Sequence, residues 1–496
     1  MRRSHRRLGI NNRCRRSPAS ASGTHPVYVT RARGCGMRNV DAAGLGIGDD
    51  HPPRIMGVLN VSEESPYDPS VYDDPGEAAA YVDEELIGEG ADIVDVGLES
   101  ANKDLEVLSA EQELERLDTA VETLESTSGD AVWSIETRYH EVADEALSRG
   151  FDMVNDICGF ADPEMPRVCR EHDAAVSKMA SPPDLERPGA IEDVDWAARS
   201  AASPERSRSY PDDIYEALSQ NGFTDKTILD PAFGGWSEAK THADDRETLH
   251  RLREFRGYGR PLLVSINRKS FLKTIAGRTT EEALPVSLAA TSMAVERGAH
   301  VIRTHDVAET RDAALVGAEF TRDRARTGRA GTGGDDAVTV EELDVTTVRE
   351  AERHLDRLAA DRSVAGDAVV HTYELGGLTD EAVGALRAAT TAPGPGSETG
   401  YRSDADTRSG SDVGATRAAF ALAGAEREAA VPPSAADGGS PSDRRSIGRS
   451  AGGDGGSSRA GVLVGTPTAI GAVQTVVSGV SASLDTALES IDAGSR

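Results

Sequence analysis

The sequence predicts a (β/α)8 barrel, and three observations carry that prediction. Eight apolar, β-prone runs start near Ile55, Ala91, Ala131, Met153, Ala174, Thr227, Pro261 and His300. A helix-like stretch follows each run, as parallel strands in a closed barrel require. The runs end in polar or charged residues: Asn60, Glu99, Glu136, Asn155 with Asp156, Lys178, Asp230, Arg268 with Lys269, and Arg303 with His305. Such residues are costly beside apolar strands unless they are used. In this fold the active site is built at one rim from the carboxyl ends of the strands. The pattern predicts an enzyme.

The connecting helices have their own signals. The stretch 75–90 begins with Pro75 and stops at Gly90, the expected asymmetry of helix ends. Ser109 with Gln112 predicts a capping box at the head of a helix over 109–124. The helix over 280–298 ends on Gly298. After strand five, 181–210 is long, polar and proline-containing, and reads as an excursion. The barrel domain is expected over 37–322.

At 496 residues the chain is too long for the barrel alone. Residues 323–392 and 460–496 carry the pattern of a small α/β accessory domain. Helices are predicted near 346–358 and 380–389 and from Pro467, and strands near 367–375 and 460–464. Between them, 393–459 is rich in Gly, Ser, Asp, Arg and Pro, and is broken only by the helix-prone run 416–428. That composition buries too little apolar surface to offset its ordering entropy, so a disordered insertion is expected. Residues 1–36 hold nine arginines and no acidic residue, which predicts a basic disordered leader with Met37 as the natural start.

Net charge is −30, yet only six lysines occur: Lys103, Lys178, Lys226, Lys240, Lys269 and Lys273. Without the leader, 45 of the 54 basic residues remain to face 84 acidic ones. An acid-rich, lysine-poor surface fits adaptation to multimolar salt, where screening removes self-repulsion. An acidic protein of a GC-rich genome is the plainer alternative. No basic face remains for nucleic acid. No apolar run approaches the ~18 residues of a membrane span, so a cytoplasmic protein is expected. The four cysteines, Cys14, Cys35, Cys158 and Cys169, show no metal-ligand spacing.

Six motifs in barrel order carry a resemblance. They are Ile55-Met-Gly-Val-Leu-Asn60, Asp92-Ile-Val-Asp-Val-Gly-Leu-Glu99-Ser100, Asn155-Asp-Ile-Cys-Gly159, Asp230-Pro-Ala-Phe-Gly-Gly235, Asn267-Arg-Lys269-Ser-Phe271 and Arg303-Thr-His305-Asp-Val307. Together, over about 54–320, they resemble the dihydropteroate synthase family, which joins a dihydropterin diphosphate to 4-aminobenzoate.

The resemblance implies roles. Asp230 would accept the paired N–H groups of the pterin edge, as a carboxylate does from a guanidinium. Asn155 and Glu136, the latter where the family usually has Asp, would serve neighbouring ring atoms. Lys269 would donate to the ring, and Ser270 beside it would also bind substrate. Arg303 and His305 would hold the diphosphate, and Asn60 would offer an oxygen to Mg²⁺. Lys178 and Lys240 are further candidates for substrate contact, and Asp306 would orient the Arg303–His305 turn. The family's Glu-Ser-Thr-Arg is Glu99-Ser-Ala-Asn102 here, which leaves Lys103 to replace the missing guanidinium. The loop after strand one also departs, at Ser62-Glu-Glu-Ser-Pro66. Two other functions stay open: a catalytically silent pterin-binding homologue, motivated by Ala101 and Asn102, and a pterin-dependent methyltransferase. The Arg303–His305 pair argues against the methyltransferase, which has no diphosphate to hold. The resemblance leaves a homodimer open.

Overall fold

Strand-by-strand alternation decides what the barrel encloses. The computed structural model describes residues 37–62, 70–99, 107–181, 209–234, 240–324, 342–391, 418–422 and 459–494. A hairpin of Val40–Ala42 (β1) and Leu45–Ile47 (β2) comes first. The parallel strands are Arg54–Asn60 (β3), Ile93–Gly97 (β4), Val132–Thr137 (β5), Met153–Asp156 (β6), Ala175–Met179 (β7), Thr227–Asp230 (β8), Leu263–Val264 (β9) and Val301–Thr304 (β10). Their order is β8-β7-β6-β5-β4-β3-β10-β9, and a bridge between Leu229 and Leu262 closes the ring. All eight predicted runs are therefore strands of one barrel.

One set of alternate residues points inward and makes the barrel floor. Met56, Ile93, Val132, Met153, Ala175, Ile228, Leu263 and Val301 form a layer of their own. The hairpin packs Val40, Ala42 and Ile47 onto that layer and plugs the amino-terminal end. This hairpin was not expected from the sequence. Its two-residue turn, Ala43 and Gly44, has both φ angles positive, at 51° and 100°. Below the plug Asp49 is buried against His300 Nε2 at 3.0 Å and two cations, Arg256 Nη2 at 3.0 Å and Arg324 Nη2 at 3.1 Å. The opposite strand faces, including Leu59, Val94, Ile135, Val154, Leu229 and Ile302, pack under the surrounding helices in the largest cluster.

The helices start where the chain signals them. Pro75–Tyr81 (α1) is capped by Asp74. It continues as a π-turn segment, Val82–Ile87, in which the Gly88 N–H reaches back five residues to Asp83. Ala110–Ser126 (α2) has the expected Ser109–Gln112 capping box. His140–Ser148 (α3), Met165–Glu171 (α4), Tyr210–Ser219 (α5), His242–His250 (α6), Ser270–Ala276 (α7), Leu284–Glu296 (α8) and Val307–Glu319 (α9) complete the ring. Of the predicted excursion over 181–210, residues 182–208 lie outside the described residues, as do 1–36 of the leader.

Past the barrel, Val348–Arg357 (α10) packs on the 3-10 segment Leu252–Tyr258. One carboxylate oxygen of Asp212, on α5, meets Arg251, Arg349 and Arg353 at 3.0, 2.7 and 2.6 Å. A three-stranded antiparallel sheet follows, ordered His371–Leu378 (β11), Arg459–Gly465 (β13) and Ala419–Leu422 (β12). Asp380–Thr391 (α11), Pro467–Val477 (α12) and Ala482–Gly494 (α13) supply its core, with Leu386, Leu463, Val477 and Leu488 fully buried. The helix-prone run at 416–428 is corrected here, because residues 419–422 are a strand paired with β13. Long-range pairing satisfies that backbone and overrides the local propensity of alanine. Residues 393–417 and 423–458 of the predicted insertion lie outside the described residues.

Candidate active site

Two residues above the floor, the inward positions turn polar. Asp95 (β4), Ser134 (β5), Asn155 (β6), Ser177 (β7) and Asp230 (β8) replace aliphatic residues, and all five are buried. Asp95 has no exposed surface and ties four strands together. Its Oδ1 accepts from the Ser134 hydroxyl at 2.7 Å, and its Oδ2 accepts from Asn155 Nδ2 at 2.9 Å and Arg303 Nε at 2.7 Å. Arg303 also donates Nη2 to Glu136 at 2.6 Å. Burial alone would lower the Arg303 guanidinium, but Glu136 and Asp95 more than offset it and keep it charged. Burial pushes the Glu136 carboxyl up against the pull of Arg303.

Asp230 ends β8 with its Oδ1 on the Ala232 N–H at 2.7 Å. Burial pushes its carboxyl up to about 6, opposed by that N–H and by Lys269, Arg303 and Lys240. Lys269 approaches from the next strand end, its ammonium lowered first by burial and then by Arg303. Gly234, at φ 115°, makes room for it, since a Cβ there would sit 3.1 Å from Lys269 Nζ. Arg268 holds the preceding turn at φ 49°, a conformation rare outside glycine, and Asp306 accepts its Nε and Nη2, both at 2.9 Å.

Asn60 ends β3 and donates Nδ2 to the Ser70 hydroxyl at 3.0 Å, which in turn lies 3.2 Å from His305 Nδ1. The Asn60 Oδ1 faces Gly97, where a Cβ would come within 3.0 Å of it. His305 is held down to about 3 by burial and by the neighbouring charges of Arg303 and Lys269.

The sequence-predicted residues Asn60, Glu136, Asn155, Asp230, Lys269, Arg303 and His305 therefore meet at one rim. Some expectations need correction. Lys178 faces outward: its ammonium donates to the carbonyls of Leu218 at 3.0 Å, Gly222 at 2.9 Å and Gln220, and so closes the end of α5. Lys240 is buried against Asp245 at 2.6 Å and the Ala232 carbonyl at 2.7 Å, and pins the β8 loop. The Asp306 carboxylate braces Arg268 and Asn267, and its backbone N–H bonds the Thr304 hydroxyl between Arg303 and His305 at 3.0 Å. Ser270 is exposed at the first turn of α7. Lys103, with Ala101 and Asn102, lies outside the described residues, as do residues 63–66 of the first loop. Asp95 and Ser70 are the site residues that sequence reading missed. The signal for Asp95 was an acid one residue before β4's terminal Val96-Gly97, in an otherwise apolar run.

A barrel with this polar strand-end layer defines a class of enzyme that takes a small polar ligand at the carboxyl rim. Residues 56–305 match the pterin binding enzyme family, and the chain belongs to that family. It is 30% identical over 258 residues to the dihydropteroate synthase of Bacillus subtilis, covering 51% of this chain and 83% of that protein. It is 32% identical over 268 residues to a probable bifunctional folylpolyglutamate synthase/dihydropteroate synthase of Halobacterium salinarum, covering 54% of this chain. The chain spans 31% of the length of that bifunctional relative. A solved dihydropteroate synthase from Coxiella burnetii in complex with pteroic acid aligns at 28% identity and TM-score 0.45, over 57% of this chain and 97% of that one.

Proposed function

We propose that the chain is a dihydropteroate synthase, condensing 6-hydroxymethyl-7,8-dihydropterin diphosphate with 4-aminobenzoate to give 7,8-dihydropteroate and diphosphate. One observation carries the reading: polar heads from five strand ends converge on the rim. They are Asn155 Oδ1, Asp230 Oδ2, Glu136 Oε1, Lys269 Nζ and Arg303 Nη1. A pterin's pyrimidine edge offers a ring N–H beside an exocyclic amine, which Asp230 accepts as a pair. Asn155 Oδ1 accepts a further N–H, and Lys269 donates to the ring's oxygen and nitrogen.

Substitution then occurs at the exocyclic methylene. The carbon–oxygen bond to diphosphate breaks, the pterin delocalises the positive charge, and the arylamine nitrogen forms the new bond and loses a proton. Arg303 Nη1 steadies the departing diphosphate. His305, neutral in the ligand-free chain, would be drawn toward its charged form by the arriving anion. Asn60 fits an Mg²⁺ role, because its Oδ1 lies against Gly97, where a side chain would crowd it, and one protein oxygen with diphosphate oxygens and waters suits that ion. Bound there, Mg²⁺ would neutralise charge on the leaving group. The arylamine is already neutral at pH 7 and needs positioning more than a base.

The test is turnover. The full chain in multimolar KCl, with dihydropterin diphosphate, Mg²⁺ and 4-aminobenzoate, is expected to release diphosphate and form dihydropteroate. Pterin binding without turnover would favour the catalytically silent homologue. The KCl series also tests the salt adaptation proposed from the charge, since activity should rise with salt. Ile275, Met293, Leu315, Val316 and Phe320 are exposed by 45–76% on α7, α8 and α9 and just beyond. A second copy of the chain is proposed to cover them, and light scattering in the same KCl should give a dimer's mass.

A further inference from the structure

Asp95 is out of reach of any ligand, yet it controls two groups that the proposed substrate would touch. A carboxylate only accepts hydrogen bonds. The 2.9 Å contact therefore fixes the Asn155 amide with Nδ2 toward Asp95 and Oδ1 turned away from it. The same oxygen takes Arg303 Nε at 2.7 Å, and Glu136 takes Nη2 at 2.6 Å, so the guanidinium plane is locked with Nη1 left over. The other oxygen is held by Ser134 at 2.7 Å, which stops the carboxylate from rotating.

Resting on the synthase reading above, we propose that Asp95 is a positioning residue that sets the donor–acceptor polarity of the site. It makes Asn155 present an acceptor to a ring N–H, and it holds Arg303 in the rotation that meets the diphosphate. Recognition of the pterin edge and of the leaving group then share one buried anchor. A ligand carrying a bare ring nitrogen instead of an N–H at that position is refused, because two lone pairs would face each other.

Substitution separates polarity from charge. In Asp95→Asn the amide oxygen can still accept from Asn155 and Arg303 while its NH2 donates to the Ser134 oxygen, so the geometry survives without the charge. In Asp95→Ala all three donors lose their acceptor. Affinity for dihydropterin diphosphate, measured by calorimetry, is expected to fall about tenfold or more in Asp95→Ala and by less than about threefold in Asp95→Asn. Affinity for the hydroxymethyl dihydropterin without its diphosphate is expected to fall in Asp95→Ala as well. In an Asn155→Ala background that second loss should shrink to within about twofold, because the effect passes through Asn155.

A full loss persisting in the Asn155→Ala background would reduce Asp95 to a fold-holding residue and overturn the inference. Equal losses in Asp95→Asn and Asp95→Ala would also overturn it, since charge and not orientation would then be responsible. Asp95→Leu, which keeps a similar branched shape without an acceptor, replaces the alanine variant if that variant does not fold. A parent chain that binds no dihydropterin diphosphate would overturn the synthase reading and this inference together. Binding by the parent that Asp95→Ala leaves unchanged would overturn this inference alone.

Discussion

The Thr137 hydroxyl donates to Glu113 at 2.6 Å, joining the outer face of β5 to the first turn of α2 behind the active-site rim. Glu113 is almost wholly buried, and burial pushes its carboxyl up to about 7, with Thr137 pulling down and Glu136 pushing up. A carboxyl raised in the folded state holds its proton longer there than in the unfolded chain. Stability from this group is therefore full below the ordinary glutamate range and is lost as pH rises toward 7. Glu113→Gln keeps an acceptor for Thr137 without the charge. It is expected to stabilise the chain by on the order of 1–2 kcal/mol at pH 8 and by little at pH 4, read as paired denaturation midpoints. A variant less stable than the parent at pH 8 would count against the buried-acid account.

Asp230→Asn should abolish pterin binding and leave the fold intact. An amide accepts one of the pterin's paired donors and turns an N–H toward the other, a loss of at least ~2–3 kcal/mol. Because the Asp230 carboxyl is raised to about 6 and binding favours its charged form, parent affinity should decline as pH falls below 6. Calorimetry across that range checks both, and near-normal affinity in the variant would remove Asp230 from the site.

At the closed end of the barrel, burial alone would raise Asp49, but His300 and Arg256 override it and hold the carboxyl well below its usual range. A depressed acid contributes stability above about pH 4 that is lost as pH falls further. Burial keeps His300 neutral despite Asp49, so the same acid must also charge an imidazole that resists it. Asp49→Asn should cost about 3 kcal/mol or more at pH 7, since it strands Arg256 and Arg324 without their counter-charge. It should also flatten the stability profile between about pH 4 and 2. A parallel acid limb in parent and variant would show that other groups set it.

Arg349 and Arg353 of α10 join the barrel's Arg251 on Asp212 and so link α10 to the barrel, with all three guanidiniums partly exposed. Partial exposure limits their worth, so Asp212→Ala should cost about 1–2 kcal/mol in dilute buffer and less in multimolar KCl. Limited proteolysis of the segment between barrel and sheet should accelerate in the variant only at low salt. Equal acceleration at both salt levels would point to packing instead.

Barrel and rim were legible because each apolar run stops at a polar residue, a signal that survives without knowing any contact. What stayed hidden depends on parity. A strand buried on both faces shows no alternation, so nothing in the run around Lys178 says which residue points inward. Ser177 does, and Lys178 is turned out to α5. Asp95 was obscured for the same reason, since its inward position inside an apolar run is visible only once Ser134 and Asn155 are beside it. The neutral state of His305 was hidden because it follows from burial and from Arg303 and Lys269, which are near in space alone. Residues 419–422 became a strand through pairing with a segment some forty residues away, beyond any local propensity.

The hairpin at Val40–Ile47 makes the barrel a cup rather than a pipe. Among the described residues its aliphatic stopper closes one end of the interior and leaves the rim where the strands end as the doorway. Whatever settles deepest must therefore arrive first and depart last. For the proposed reaction the pterin head would have to be seated before an arylamine could close over it, and the joined product would have to withdraw tail first. Traffic through the enzyme would then be a queue, with each new pterin waiting for the previous product to clear the mouth.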